Sequence, residues 1–201
     1  MVEHGQILGT QPFGALLTKL AQESDTIVEI GAMYGKGSTL CLYAGMIGNK
    51  HPKLLALESD RDRWEALSKR FHFIPEIIPI YGAIVRPDQF KPFDPVDSAV
   101  QHRENYDEDI RNADKAPMVL DIIPAHIDLL LLDGGDWSSD AEFDLLWQRC
   151  NIIALDDTNA SKSRKNHNNR DKLIHAGWQT IGDDLNDRNG WFIASATGGS
   201  C

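Results

Sequence analysis

Four short apolar runs set the limits of what this chain folds into. They are TIVEIG (26–31), KLLALE (53–58), IDLLLLD (127–133) and NIIALDD (151–157). Each is nearly continuous in hydrophobicity and bounded by polar residues or glycine. Alternating hydrophobicity marks a strand with one wet face; continuous short runs mark strands buried on both faces, as in a parallel sheet covered by helices. EIIPIYG (76–82) is a weaker fifth run, because Pro79 lacks the N–H that a central strand donates.

Helical patterns lie between the runs. STLCLYAGMIG (38–48) opens on Ser38-Thr39 and ends near Gly48. SDRDRWEALSKRF (59–71) opens on Ser59 and spaces Trp64, Leu67 and Phe71 along one face, and SSDAEFDLLWQRC (138–150) does the same with Phe143, Leu146, Trp147 and Cys150. Trp64, Phe143 and Trp147 read as core. SKSRKNHNNRDKLIHA (161–176) is polar early and apolar only at Leu173 and Ile174, so its first half reads as loop. Strands alternating with helices from 26 to 160 predict right-handed βαβ units and an open, doubly wound, mostly parallel sheet. The last two runs, WQTIGDD (178–184) and NGWFIAS (189–195), read as an antiparallel hairpin. Segment 85–117 breaks the pattern with four prolines and many charges, so it reads as a lid or a disordered insert. The expected organisation is one domain over 1–201.

Thirty acidic against 20 basic residues give a formal charge of −10. That argues against a nucleic-acid or anionic-membrane partner, whose phosphates need a basic face. Cys41, Cys150 and Cys201 form no CxxC pair, and the first residues show no basic and apolar leader, so a reducing cytoplasmic setting is expected. No run approaches the ~20 apolar residues of a membrane span.

Ligands of open parallel sheets bind at the carboxyl ends of the strands. The first such end, VEIGAMYGKGSTL, places Gly31, Gly35 and Gly37 between strand and helix. The next strand ends at Glu58, 23 residues after Gly35. A carboxylate there suits the vicinal hydroxyls of a ribose. The order G-x-x-x-G-x-G is not the G-x-G-x-x-G that seats a pyrophosphate, so a nucleoside without phosphates fits better, with S-adenosylmethionine the first candidate.

VEIGAMYGKGST resembles motif I of the class I S-adenosylmethionine-dependent methyltransferases, and is most similar to the catechol O-methyltransferase-like group. IDLLLLDGGDWSSDAEFDLLW and NIIALDDTN resemble that group's fourth and fifth strand segments, and NGWFIA resembles part of its closing hairpin. The resemblance covers roughly 25–84 and 127–195. It implies a Rossmann-like sheet of about seven strands. It implies that Glu29, Gly31, Gly35 and Ser38 surround the methionine part of the cofactor, with Ala32 and Gly37 also in the cofactor-binding set. Glu58 would hold the ribose, with Ser59 also in the cofactor-binding set, Gly82 and Ala83 would lie near the adenine, and Asp133 and Trp137, cofactor-binding as well, would begin the segment that separates cofactor from acceptor.

Asp133 ends the fourth run, and Asp156-Asp157 end the fifth. If these strands are neighbours, their ends lie about 5 Å apart and three carboxylates converge. Bare, they repel; a hard cation such as Mg²⁺ removes the conflict and prefers oxygen donors. By resemblance to the metal-dependent catechol-type enzymes the third position is Asn, and here it is Asp157. Such a metal would lower the pKa of an acceptor hydroxyl for attack on the sulfonium methyl. The lysine that serves this group as base corresponds to Asp136, so Asp136, with Asp133, is the expected catalytic pair. The basic stretch Lys162, Arg164, Lys165, Arg170 and Lys172 reads as a clamp for an anionic small-molecule acceptor or as a solvated helix start. The expected function is O-methylation of a small hydroxylated acceptor. The competing readings are a catalytically inactive cofactor-binding homologue and another nucleotide-dependent enzyme on the same kind of sheet. Neither the acceptor nor the oligomeric state is legible.

Overall fold

The computed structural model describes residues 7–94, 100–163 and 165–197. The four strong runs form β1 (Thr26–Ile30), β2 (Lys53–Glu58), β4 (Ile127–Leu132) and β5 (Cys150–Asp156). The weak run forms β3 (Ile77–Tyr81), and the terminal pair forms β6 (Gln179–Asp184) and β7 (Trp191–Ser195). All seven join one sheet in the order β3-β2-β1-β4-β5-β7-β6. The first five are parallel, and β7 runs antiparallel to both neighbours. The strand carrying Pro79 is an edge strand, where a missing N–H costs least.

Side chains alternate between two cores because neighbouring strand residues point to opposite faces. On one face Ile27, Leu54, Leu129, Leu131 and Ile193 pack against three helices, α1 (Pro12–Ala21), α2 (Ser38–Met46) and α3 (Arg61–Phe71). On the other Val28, Leu57, Leu130, Leu132 and Leu155 meet Phe143 and Leu146 of α5 (Ser139–Leu146) and Leu173 of α6 (His167–His175). The start of 161–176 is loop, as its polarity predicts. Phe143 is fully buried, whereas Trp64 and Trp147 are half-buried at the edges of the packing.

Two helices escaped the sequence reading. α1 starts on Pro12, which fits the first helical turn, and buries Phe13 and Leu17. Within 85–117 lies α4 (Val100–Lys115), a 16-residue helix. It is tied to α3 by an Arg63–Glu108 ion pair at 2.6 Å and packs Ala113 and Ala116 on Ala83 just past β3, and the chain after it makes a parallel bridge from Met118 to Ala83. The insert is therefore ordered over 100–115 and lies against the carboxyl edge; 95–99 are outside the described residues.

Gly31 holds the ends of β1 and β4 together. Its φ is +88°, and a Cβ there would run into the Asp133 carbonyl. Gly31→Ala is expected to lose at least about 1–3 kcal/mol in urea unfolding, from the left-handed backbone alone. A variant as stable as the parent would show that the two strand ends can separate freely.

Candidate functional site

The strand order reverses between β1 and β4, and a crevice opens outside the carboxyl ends at such a point. A cavity of about 280 Å³ lies there, lined by the ends of β1, β2, β4 and β5 together with α4 and the β6–β7 turn. Of the residues expected at the site, Gly31, Glu58, Ser59, Gly82, Ala83, Asp133, Asp156 and Asp157 border it.

Glu58 is 5% exposed, and each carboxylate oxygen already accepts one backbone N–H, from Met33 at 2.8 Å and from Asp60 at 2.8 Å. Burial pushes its pKa up, while those N–H groups and Arg63 draw it down. The carboxylate is thus fixed in direction and keeps lone pairs for hydroxyl donors from the cavity. Asp60, not Ser59, caps α3, accepting from the Arg63 N–H at 2.9 Å, which leaves Ser59 on the cavity wall.

The other expected residues do not border the cavity. Glu29 is fully buried and accepts from Ser38 Oγ at 2.5 Å and Thr39 Oγ1 at 2.7 Å, so it ties β1 to the start of α2. Gly37 is the N-cap of α2, and Ala32 is packed in the core. Gly35 has φ +65°, and a Cβ there would strike Phe71 and Leu67 of α3. The glycine turn is explained first by this packing. Trp137 is 3% exposed and sits edge-on to Tyr106 of α4, with ring centroids 5.3 Å apart. Asp136 is half-buried, and its backbone N–H donates to the Asp109 carboxylate.

Register brings the acids together. Leu132 pairs with Leu155, so Asp133 and Asp156 follow side by side. One oxygen from each of Asp133, Asp156 and Asp157 can be chosen so that all three lie within 4.8 Å of one another. This donor set is chemically suited to a hard cation, but cations of the chain itself already hold it. Lys165 Nζ lies 2.8 Å from Asp133 Oδ1 and 3.1 Å from Asp157 Oδ2, and Arg188 Nη2 lies 2.8 Å from Asp156 Oδ2. The Lys165 and Arg188 side chains are only 9% and 15% exposed. A divalent ion at this point would have to evict a buried ammonium, so the residues as arranged do not fit a metal.

The charge states follow from the geometry. Burial alone would lower the Lys165 pKa, but Asp133, Asp157 and Asp156 hold it well above its ordinary value. Burial opposes ionisation of Asp157 as well, yet Lys165 keeps its pKa below the usual carboxylate value. Asp156 is pushed up to about 8 by burial and by its acidic neighbours. Its Oδ1 has no hydrogen-bond partner. Three acids against two cations leave the cluster one positive charge short, which is why burial and its acidic neighbours raise the proton affinity of Asp156.

Sequence reasoning missed Arg188, Asp109 and Glu142 as cavity residues, and placed Lys165 only in a basic stretch. Burial pushes Asp109 and Glu142 each up to about 7. Among the described residues the non-glycine positions with positive φ are Met33 (48°), Asp157 (59°) and Arg188 (56°), and all three border this cavity. Left-handed backbone is disfavoured for side-chain-bearing residues and gathers where function constrains the chain. The basic stretch is internally spent: besides Lys165, Arg170 pairs with Asp183 and Lys172 with Asp144, while Lys162 donates to the Arg188 carbonyl. Arg164 lies outside the described residues.

No known protein-family profile matches the chain, and no curated protein sequence matches it. Solved structures do. A Staphylococcus aureus protein assigned as a caffeoyl-CoA O-methyltransferase aligns at TM-score 0.59 and 14% identity, over 92% of this chain and 83% of its own. An O-methyltransferase from Bacillus cereus in complex with SAH aligns at 0.57 and 14%, over 93% and 82%. The SAH-bound Podospora anserina methyltransferase PaMTH1 aligns at 0.57 and 14%, over 92% and 78%. The fold is that of the class I S-adenosylmethionine-dependent methyltransferases. At this identity the likeness establishes the architecture, and the chemistry has to be argued from the side chains.

Burial pushes Glu29 from 4.5 up to about 7, although Ser38 and Thr39 pull it down. In that window the folded chain holds a proton that the unfolded chain has lost, so this group makes stability fall as pH rises through it and level off above about 7. Asp109, Glu142 and Asp156 act in the same direction. Urea unfolding from about pH 5 to 8 is expected to show this decline, with a shallower slope in Glu29→Gln. An identical slope in that variant would mean that Glu29 is ionised in the folded chain.

Proposed function

We propose that this protein is an S-adenosylmethionine-dependent methyltransferase that methylates a hydroxyl oxygen of a small acceptor. The observation that carries the reading is Glu58, a buried carboxylate fixed by two backbone N–H groups and facing the cavity at the switch point of this fold. A carboxylate so placed matches the paired hydroxyls of a ribose. Ser59 lies beside it, and Gly82, Ala83, Ile84 and Val85 form an apolar wall suited to a flat base. When bound, S-adenosylmethionine supplies an electrophilic methyl group on a sulfonium.

The remaining work falls to the chain. Asp109 is the better-placed base: it borders the cavity, and its pKa of about 7 matches what general-base catalysis near neutral pH requires. Asp136 then acts on Asp109, through its charge and its backbone N–H. Helix α4 forms one side of the cavity through Asp109, Asn112 and Ala113. The Mg²⁺ assistance expected from the sequence competes with the Lys165 and Arg188 ion pairs, so no step is assigned to a metal. The wall carries Glu58, Asp109, Asp133, Glu142, Asp156 and Asp157 against Arg63, Lys165 and Arg188. With Asp109, Glu142 and Asp156 all pushed up into the neutral range, the other three carboxylates are matched by these three cations, which suits an uncharged acceptor. The free, buried thiols of Cys41 and Cys150 are consistent with a reducing cytoplasm, and among the described residues no helix is long and apolar enough to cross a membrane.

Saturating S-adenosylmethionine, at about 100 times its Kd, is expected to raise the melting temperature by roughly 5–10 °C. Glu58→Gln is expected to weaken binding about 10–100-fold in calorimetry. Melting unchanged up to about millimolar ligand would overturn the reading. With an acceptor found by screening hydroxylated small molecules, Asp109→Asn should cut kcat by about 10²–10⁴ with KM little changed. Full activity in that variant would remove Asp109 as the base.

A further inference from the structure

The loop between β5 and α6 is built to deliver one ammonium to one point. Asn166 is fully buried, and its side-chain amide donates to the Leu132 carbonyl at 3.1 Å and to the Asp156 carbonyl at 2.8 Å. It therefore clips together the ends of β4 and β5. Asn169, also fully buried, donates to Asn166 Oδ1 at 3.0 Å and to the Ser139 carbonyl at 3.3 Å. Ser139 Oγ donates to the Lys165 carbonyl at 2.9 Å, and the Lys165 N–H donates to Ser163 Oγ at 3.2 Å. The Lys165 backbone is pinned on both sides, so its side chain starts from a fixed place.

From there Nζ reaches Asp133 and Asp157, with the Asp133 carbonyl 3.4 Å away. Solvent reaches little of it, and its neighbours keep it charged. Arg188 meets the third acid from the β6–β7 turn, which β7 brings to this edge by running antiparallel beside β5. An ammonium carries three N–H donors. Two are committed to Asp133 and Asp157, and the third has only the long contact with the Asp133 carbonyl. Lys165 also borders the cavity.

We infer that Lys165 is the resident cation of the carboxylate cluster. It takes the place a divalent metal would occupy between Asp133, Asp156 and Asp157, and makes the site metal-independent. Its third N–H, which makes only the 3.4 Å contact with the Asp133 carbonyl, can turn to the acceptor oxygen, where a fixed positive charge stabilises the negative charge that develops as the proton leaves. That last role rests on the methyl-transfer reading; occupancy of the cluster does not.

The test is a Mn²⁺ titration of the chelator-treated full-length protein, followed by electron paramagnetic resonance, with S-adenosylmethionine binding measured by calorimetry on the same samples. The parent is expected to take up no Mn²⁺ at about millimolar concentration, and Lys165→Ala is expected to bind it at least about tenfold more tightly, with a metal-dependent rise in melting temperature. Adding Asp133→Asn to Lys165→Ala should abolish that gain. Saturable Mn²⁺ binding by the parent, or a folded Lys165→Ala that gains none, overturns the inference. If Lys165→Ala does not fold, Lys165→Met keeps the stem and removes the charge, and the parent's own titration still decides whether a metal displaces the ammonium. A parent that ignores both Mn²⁺ and S-adenosylmethionine would refute the methyltransferase reading while leaving the lysine in place.

Discussion

Three carboxylates on the ends of two adjacent parallel strands cannot share a half-buried edge unless opposite charge joins them. Repulsion at these separations is large in a medium less polarisable than water. Lys165 and Arg188 supply that charge, and much of the surrounding chain is arranged to bring them there. Asn166 clips the strand ends. Asp157 and Arg188 both adopt left-handed backbone. The antiparallel β7 places the turn carrying Arg188 over β5 rather than at the far edge of the sheet. Replacing such an ion cluster by apolar groups can leave stability unchanged, whereas removing one partner strands a buried charge. The cluster is therefore better understood as a device that fixes position and field at the cavity than as a source of stability.

The same constraint shapes the rest of the cavity. Burying several acids in one place raises their proton affinity, and Asp109, Glu142 and Asp156 all titrate far above ordinary carboxylates. Helix α4 contributes Asp109, so the element that walls one side of the cavity also carries a proton acceptor. Glu58 stands at the opposite end, held by backbone N–H groups. One end of the crevice is thus shaped for hydroxyl donors, and the other for a group whose oxygen becomes more negative as it reacts.

The strands, their order of appearance and the acids at their ends were legible because each is a local signal: a short apolar run, a polar stop, a glycine turn. Convergence of Asp133, Asp156 and Asp157 could be read from the expectation that neighbouring strands end together. Their cations could not, because each main pairing joins residues 32 apart in sequence. Lys165 sat in a run of basic residues that looked like one surface, and Arg188 sat in a hairpin turn. Glu29 shows the converse. Its place in the glycine motif suggested a ligand contact, but Ser38 and Thr39, nine and ten residues on, satisfy it internally. Helices α1 and α4 were missed for different reasons. α1 is short and opens on proline and phenylalanine, and α4 is a charged helix inside a proline-rich connection whose partners lie elsewhere in the chain.

The most direct measurement of the central claim is a crystal structure grown with S-adenosylhomocysteine and Mn²⁺, with anomalous data collected at the manganese edge. The account predicts ribose hydroxyls on Glu58, the Lys165 ammonium between Asp133 and Asp157, and no manganese peak at the cluster. A manganese peak among Asp133, Asp156 and Asp157, with Lys165 swung away, would contradict it.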